Sequence, residues 1–215
     1  NTSSTTLSAS PPPGTATGVW SIDANYPQPS VLNFTNTTQY NTDINNLQEG
    51  TYQLIWTISN GTCSSDMDTI QISVHDLPGS NAGVDQDLCN IYATTLAGNT
   101  PLGTASGLWS LDPTHIQPSL VNFANNTQSN TNISDLQEGT YKLIWTVSNG
   151  SCTPAIDTVE IRIYDTPNSY AGVDIDLCNI YNTNLAGNIP PGTATGLWTL
   201  DASHTQPSTV TFDDP

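Results

Sequence analysis

From residue 140 to 148 apolar and polar side chains alternate: Tyr141, Leu143, Trp145 and Val147 share one face, with Lys142, Ile144, Thr146 and Ser148 on the other. A period of two marks a strand buried on one side. Asn149 and Gly150 follow as a strong turn pair. Beyond them Val159, Ile161 and Ile163 alternate with Thr158, Glu160 and Arg162, so a hairpin of two strands is predicted. Upstream, residues 107–111 place Trp109 on a short central strand, and residues 84–88 open the unit. Residues 94–97, 120–123 and 130–133 are shorter strand candidates. A helical period occurs nowhere, and about seven turn-punctuated strands predict an all-β, immunoglobulin-like sandwich.

The same pattern recurs. Trp20, Trp109 and Trp198 stand 89 residues apart, as do Trp56 and Trp145, Cys63 and Cys152, and Cys89 and Cys178. LQEGTYQLIWTISNGTC from Leu47 returns as LQEGTYKLIWTVSNGSC from Leu136, and AGVDQDLCNIY from Ala82 as AGVDIDLCNIY from Ala171. Solenoid repeats run about 20 to 50 residues, so a gapless 89-residue period reads as a string of small sandwich domains. In that register residues 81–169 are a complete repeat. Residues 1–80 are a partial one missing its first strand, and residues 170–215 one missing its C-terminal half. The sequence is expected to be a window on a longer array.

Composition narrows the function. Of 215 residues only 2 are Lys or Arg against 19 Asp or Glu, a formal charge of −17. So few cations exclude nucleic-acid binding, which neutralises many phosphates. Charged residues make up 10 % against about 25 % in an average domain, which excludes coiled coils. No apolar run approaches ~18 residues, so no membrane span is expected. Asn1 opens no basic, apolar-cored leader, so any export signal is expected outside this sequence. The wealth of Thr, Ser, Asn, Gly, Pro and β-branched residues suits a loop-rich exterior protein.

Each unit carries one Trp on a mid-chain strand and one on the penultimate strand: Trp20 with Trp56, Trp109 with Trp145, and Trp198. They are expected to pack across the sheets as the centre of the core; an exposed platform for sugars is the functional alternative. Tyr52 and Tyr141 follow Gly50 and Gly139, where a tyrosine corner would sit.

The cysteines occupy two fixed positions per unit without C-x-x-C spacing, which favours an oxidising exterior over zinc or thioredoxin chemistry. The simplest pairing is Cys89 with Cys152, closing a loop of about sixty residues for ~4 kcal/mol in the chain-entropy model. In a plain Greek key these positions lie at opposite poles, whereas bridging needs Cα atoms within about 7 Å. A bridge between neighbouring units or chains, and free thiols, therefore stay open. Cys63 and Cys178 then pair outside the fragment or in neighbouring units.

No catalytic residue is predicted. His115 and His204 are equivalent, but Tyr26 holds that position in the first unit, and His75 aligns with Tyr164. No Ser-His-Asp or Cys-His arrangement assembles. Carboxylate pairs occur at Asp66 and Asp68, Asp85 and Asp87, and Asp174 and Asp176. Calcium takes six to eight oxygens, so a weak junction site of Asp85, Asp87 and Asp165 is the one metal candidate; solvated edge charges are the alternative. No other cofactor is expected. Self-formed isopeptide links need a buried Lys, but Lys142 faces outward and Gln53 replaces it in the first unit. Asn33, Asn36, Asn60, Asn125, Asn132 and Asn149 open N-x-[ST] triplets, which matter only where a glycosylation pathway exists.

LAGN, PGTATG from Pro13 and from Pro191, LQEGTYxLIWTxSNGxC and DTVxI together resemble the immunoglobulin-like or PKD-like repeats of very large bacterial surface adhesins. Such chains are exported by gliding and biofilm-forming bacteria, often through type IX secretion. The resemblance spans essentially the whole sequence and implies an extracellular, cell-surface location. It also implies that Thr69 and Thr158, in Asp-Thr-aliphatic triplets, are O-glycosylation candidates; ordinary strand threonines are the alternative.

The expected function is a non-catalytic stretch of a long filament or stalk supporting adhesion or gliding. Its expected partners are neighbouring repeats, other copies in a fibre, and glycans or surface ligands. Two alternatives remain. One is a multivalent glycan- or protein-binding module, with PGTATG as its best loop. The other is an accessory region of a secreted enzyme.

Overall fold

A computed structural model describes residues 4–213 of the chain. Among the described residues every regular element is a strand. The first sandwich contains β1 (Ser4–Thr6), β2 (Thr17–Ile22), β3 (Asn33–Phe34), β4 (Asp43–Asn45), β5 (Gly50–Ser59) and β6 (Asp66–Val74). The second contains β7 (Gln86–Cys89), β8 (Thr94–Thr95), β9 (Ser106–Leu111), β10 (Asn122–Phe123), β11 (Asn132–Ser134), β12 (Gly139–Ser148) and β13 (Ala155–Tyr164). No strand follows within the described residues.

In the second sandwich β7-β13-β12-β9 form one sheet and β10-β11-β8 the other. The first repeats this as β6-β5-β2 facing β1-β4-β3. The alternation in β12 sends Tyr141, Leu143, Trp145 and Val147 inward, where they meet Leu96, Val121 and Ile133 from the opposite sheet. Leu7, Leu32 and Ile44 do the same against Tyr52, Leu54 and Trp56 in the first. Fully burying each such aliphatic side chain contributes about 1.5–3 kcal/mol.

The tryptophans depart from expectation in placement. Trp109 lies on β9, an edge strand of its sheet rather than a central one. Trp145 is its direct partner across the β12–β9 ladder, so the two rings lie side by side on one sheet and do not span the two. Aliphatic side chains of the other sheet cover them. Trp198 also departs from a core role: it is half-buried and on no strand. Trp20 and Trp109 are each sealed by a tryptophan on a neighbouring long strand, and no described strand stands beside Trp198.

Each long central strand begins with a pinned tyrosine. The Tyr141 hydroxyl accepts the Gln137 N–H at 2.7 Å and lies 2.7 Å from Ser119 Oγ. Tyr52 repeats this with Gln48 (2.8 Å) and Ser30 (2.7 Å). Gly139, at φ 132°, makes the approach possible, because a Cβ there would collide with the Pro118 ring.

The first strand of the second sandwich runs parallel to the last, with Gln86 opposite Ile161 and Cys89 opposite Tyr164. Both strands therefore end at the pole where the chain leaves the unit. That geometry decides the cysteine question below.

Candidate functional site

The β12–β13 turn of the second sandwich points back at the first and docks on it. Asn149 heads this turn and is only 2 % exposed. Its Nδ2 donates to Glu49 Oε1 at 2.8 Å and to the Asp76 carbonyl at 2.9 Å. The Thr104 hydroxyl lies 2.8 Å from Asn149 Oδ1 and 3.0 Å from Glu49 Oε1, so it donates to either acceptor. The Thr104 amide also donates to Glu49 Oε1, at 3.4 Å. One carboxylate of the first unit thus clasps two loops of the second. The His75 ring packs on Gly150, and Cys152 Sγ donates to the His75 carbonyl at 3.5 Å.

The backbone makes room for the carboxylate. Gly103 sits at φ 57°, a left-handed conformation that favours glycine, and a Cβ there would overlap the Glu49 carboxylate. Gly192, at φ 53°, stands in the same relation to Glu138. Glu138 Oε1 in turn accepts the Thr193 amide at 3.3 Å. Glu138, Gly192 and Thr193 are each one 89-residue period after Glu49, Gly103 and Thr104. The clasp is therefore a repeated feature.

Asn60 provides an internal comparison one period before Asn149. It too meets its own threonine, Thr15, at 3.2 Å, yet it is exposed. The turn is the same, and cover from Glu49 and Asp76 buries Asn149. The Asn149 hydrogen bond, followed by that of the Thr104 hydroxyl, holds the Glu49 carboxyl below its ordinary pKa. The docked state binds Glu49 as a carboxylate.

Several sequence-based expectations do not survive this geometry. Asp85, Asp87 and Asp165 form no cation site. Asp85 accepts the Glu160 amide (2.9 Å), Asp87 pairs with Arg162 (3.4 Å), and Asp165 accepts the Tyr92 hydroxyl (2.8 Å). No cluster of three metal-ligating side chains occurs among the described residues. The Asn149 amide is spent on the junction, so the Asn149 triplet is no accessible glycosylation site.

Cys89 and Cys152 form no bridge, and all four cysteines are free. Cys89 lies beside Tyr164 at the end of β13, while Cys152 precedes its start. Ten residues at ~3.3 Å each separate the two by roughly 30 Å. The polar objection raised by the Greek key is the geometry found.

Thr69 and Thr158 stand exposed on β6 and β13. Asp157, just before Thr158, accepts the Ala82 amide at 2.7 Å and so fastens the entry of the second unit. His115 Nε2 meets the Thr140 carbonyl at 2.8 Å, a local brace. A cavity of about 210 Å³ is lined by Pro167, Asn188, Pro190 and Gly196. One period earlier, Asn99 and Gly107 are the residues against the Trp145 indole, so this cavity is a tryptophan slot of the fold.

Sequence reasoning missed Glu49, Glu138 and Thr104 as functional residues. Their signal was present: a Glu and a Gly-Thr pair recur at the 89-residue period in loops where no strand pattern explains them.

The two facing sheets, the pinned tyrosine and the parallel first and last strands define the class: the chain is an all-β protein of tandem immunoglobulin-like sandwiches. No protein-family model matches it, and no curated protein matches it. Among solved structures it is similar to the PKD domain from KIAA 1837 protein, at 24 % identity over 45 % of this chain and 96 % of that one, TM-score 0.37. It is also similar to titin domains I67–I69, at 15 % identity over 72 % of this chain and 57 % of that one, TM-score 0.43. Murine CEACAM1b matches at 14 % identity over 70 % of this chain and 85 % of that one, TM-score 0.42. No helix among the described residues is long and apolar enough to cross a membrane.

Proposed function

We propose that this chain is a non-catalytic length of stalk in a bacterial cell-surface adhesin, displayed outside the cell to hold adhesive or gliding contacts away from its surface. The observation that carries this reading is the repeated clasp, Glu49 on Thr104 and Glu138 on Thr193, which gives successive units one docking mode. A single repeated mode builds a thread of constant geometry, the mechanical need of a spacer. The charge of −17 keeps such threads soluble and mutually repelling.

The reading as a multivalent ligand module loses ground, because the loop singled out for it is the one gripped by the glutamates. Thr104 belongs to that loop in the second unit and Thr193 in the next. Cryo-electron microscopy of the source cells, labelled with antibody against residues 81–169, tests the proposal. Periodic label along thin surface threads, about 40 Å per unit for sandwiches with strands of this length, is expected. Label inside cells, or on released globular particles alone, overturns it.

A further inference from the structure

The four free cysteines share one geometric rule. Cys152 sits in the turn that docks on the preceding unit, with Sγ 3.5 Å from the His75 carbonyl. His75, the residue just past the end of β6, is Tyr164 one period later. Tyr164 is the ladder partner of Cys89, and its carbonyl accepts the Asn90 amide at 2.8 Å. The turn cysteine therefore bonds, at one junction, the carbonyl position that the residue after the first-strand cysteine bonds at the next, so both cysteines lie beside the same residue position of the repeat. Paired strands run about 4.8 Å apart, within the Cα separation that a disulfide spans. Cys89 is exposed and points away from the core, and Tyr92 nearby holds Asp165 at the same pole.

We propose that the cysteines form a disulfide ladder along the array, in which the first-strand cysteine of each unit bridges to the hairpin-turn cysteine of the following unit. Cys89 then bonds to the counterpart of Cys152 one period further on, and Cys152 to the counterpart of Cys89 one period back. No two of the four cysteines in this sequence stand in that relation, which accounts for every one of them being free. The bridge locks from outside the junction that Glu49 clasps from within. Two thiols lose two protons and two electrons as the S–S bond forms. An external disulfide such as oxidised glutathione accepts them and leaves as two thiols. The inference rests on the repeated docking of units and not on where the thread is displayed.

The test lengthens the chain by inserting a second copy of residues 81–169 directly after residue 169, which creates one pair in the required relation. After oxidation with glutathione disulfide, peptide mapping is expected to show Cys89 joined to the inserted copy of Cys152 within one chain. The remaining cysteines stay open to alkylation. Cys89→Ser is expected to return the inserted turn cysteine to the alkylated pool. The parent chain of 215 residues, treated alike, should gain no internal bridge. A Cys89–Cys152 bridge within one unit, disulfide-linked chain dimers, or full alkylation of the lengthened chain overturns the proposal. Because the readout is made on purified protein, failure of the surface-stalk reading leaves this result unaffected, and the reverse holds too.

Discussion

Trp109 and Trp145 face each other across the β9–β12 ladder with ring centroids 4.9 Å apart and planes tilted by 36°. Trp20 and Trp56 repeat the arrangement at 5.0 Å and 42°. Offset, tilted aromatic pairs gain about 0.5–1.5 kcal/mol beyond the area they bury. The pair also fixes an edge strand to its neighbour, so it holds the sheet together as well as filling the core. Gly107 has no side chain because the Trp145 ring occupies the space where its Cβ would lie.

Truncating that ring tests its role. Trp145→Ala is expected to destabilise the second sandwich by about 3–5 kcal/mol, as a large cavity in a closed core. Urea unfolding followed by the remaining tryptophans gives the number. A loss below ~1 kcal/mol would place the ring outside the core.

The tryptophans of the two units differ in their indole hydrogen bonds, and the Trp145–Trp56 difference has a cause in the sequence. Trp145 Nε1 donates to Asn99, at 3.2 Å to its carbonyl and 3.1 Å to Oδ1. Ser10 holds the Asn99 position in the first unit, and Trp56 Nε1 is buried there without a partner among the described residues. Ser10→Asn should therefore stabilise the first sandwich by about 1 kcal/mol. An unchanged urea midpoint would show that the indole N–H is already satisfied.

Rigidity of the junction depends on the clasp. A compact protein of this length has a radius of gyration near ~17 Å, and small-angle scattering of the docked chain is expected to lie well above that. Gly103→Ala puts a methyl group into the Glu49 carboxylate and a side chain into a left-handed backbone. It should broaden the distribution of inter-unit distances, leave the first sandwich's unfolding midpoint in place, and cost the second no more than the roughly 1–2 kcal/mol of a left-handed alanine. Loss of the fold of the second unit instead would make Gly103 a folding residue.

Acid should loosen the same junction. Docking lowers the Glu49 pKa, chiefly through the Asn149 hydrogen bond, so the docked state prefers the carboxylate. Its contribution is complete above the free-chain value of about 4.3 and is lost as pH falls through the lower docked value. A fluorescence energy-transfer pair placed on the two sandwiches should hold one distance from neutral pH to about pH 5. It should spread below that range, and Glu49→Gln should spread at every pH. A wild-type distance that never moves in acid would assign the junction to other contacts.

Much of this architecture is legible in the chain itself. Period-two alternation marked β12 and β13, the Asn149-Gly150 pair marked their turn, and the 89-residue spacing marked the units. These are local signals, because a strand's faces and a turn's backbone are set by residues close in sequence. What alternation states about Trp145 is that it points inward. Which ring it meets depends on strand order and register, and these alone put Trp109 beside it rather than across from it.

The cysteines and carboxylates show the same division. Their recurrence at fixed positions was visible, but a disulfide or a cation site needs atoms brought within a few ångströms from distant parts of the chain. The parallel pairing of β7 with β13 sends Cys89 to the pole opposite Cys152. Docking of the turn at Asn149 turns Glu49 from a solvated loop charge into the centre of an interface. Sequence by itself determined the strands, the repeat and the sign of the charge, all properties of neighbouring or periodic residues. Tertiary structure decided which poles meet, because contact across a junction is a property of packed surfaces that no single strand contains.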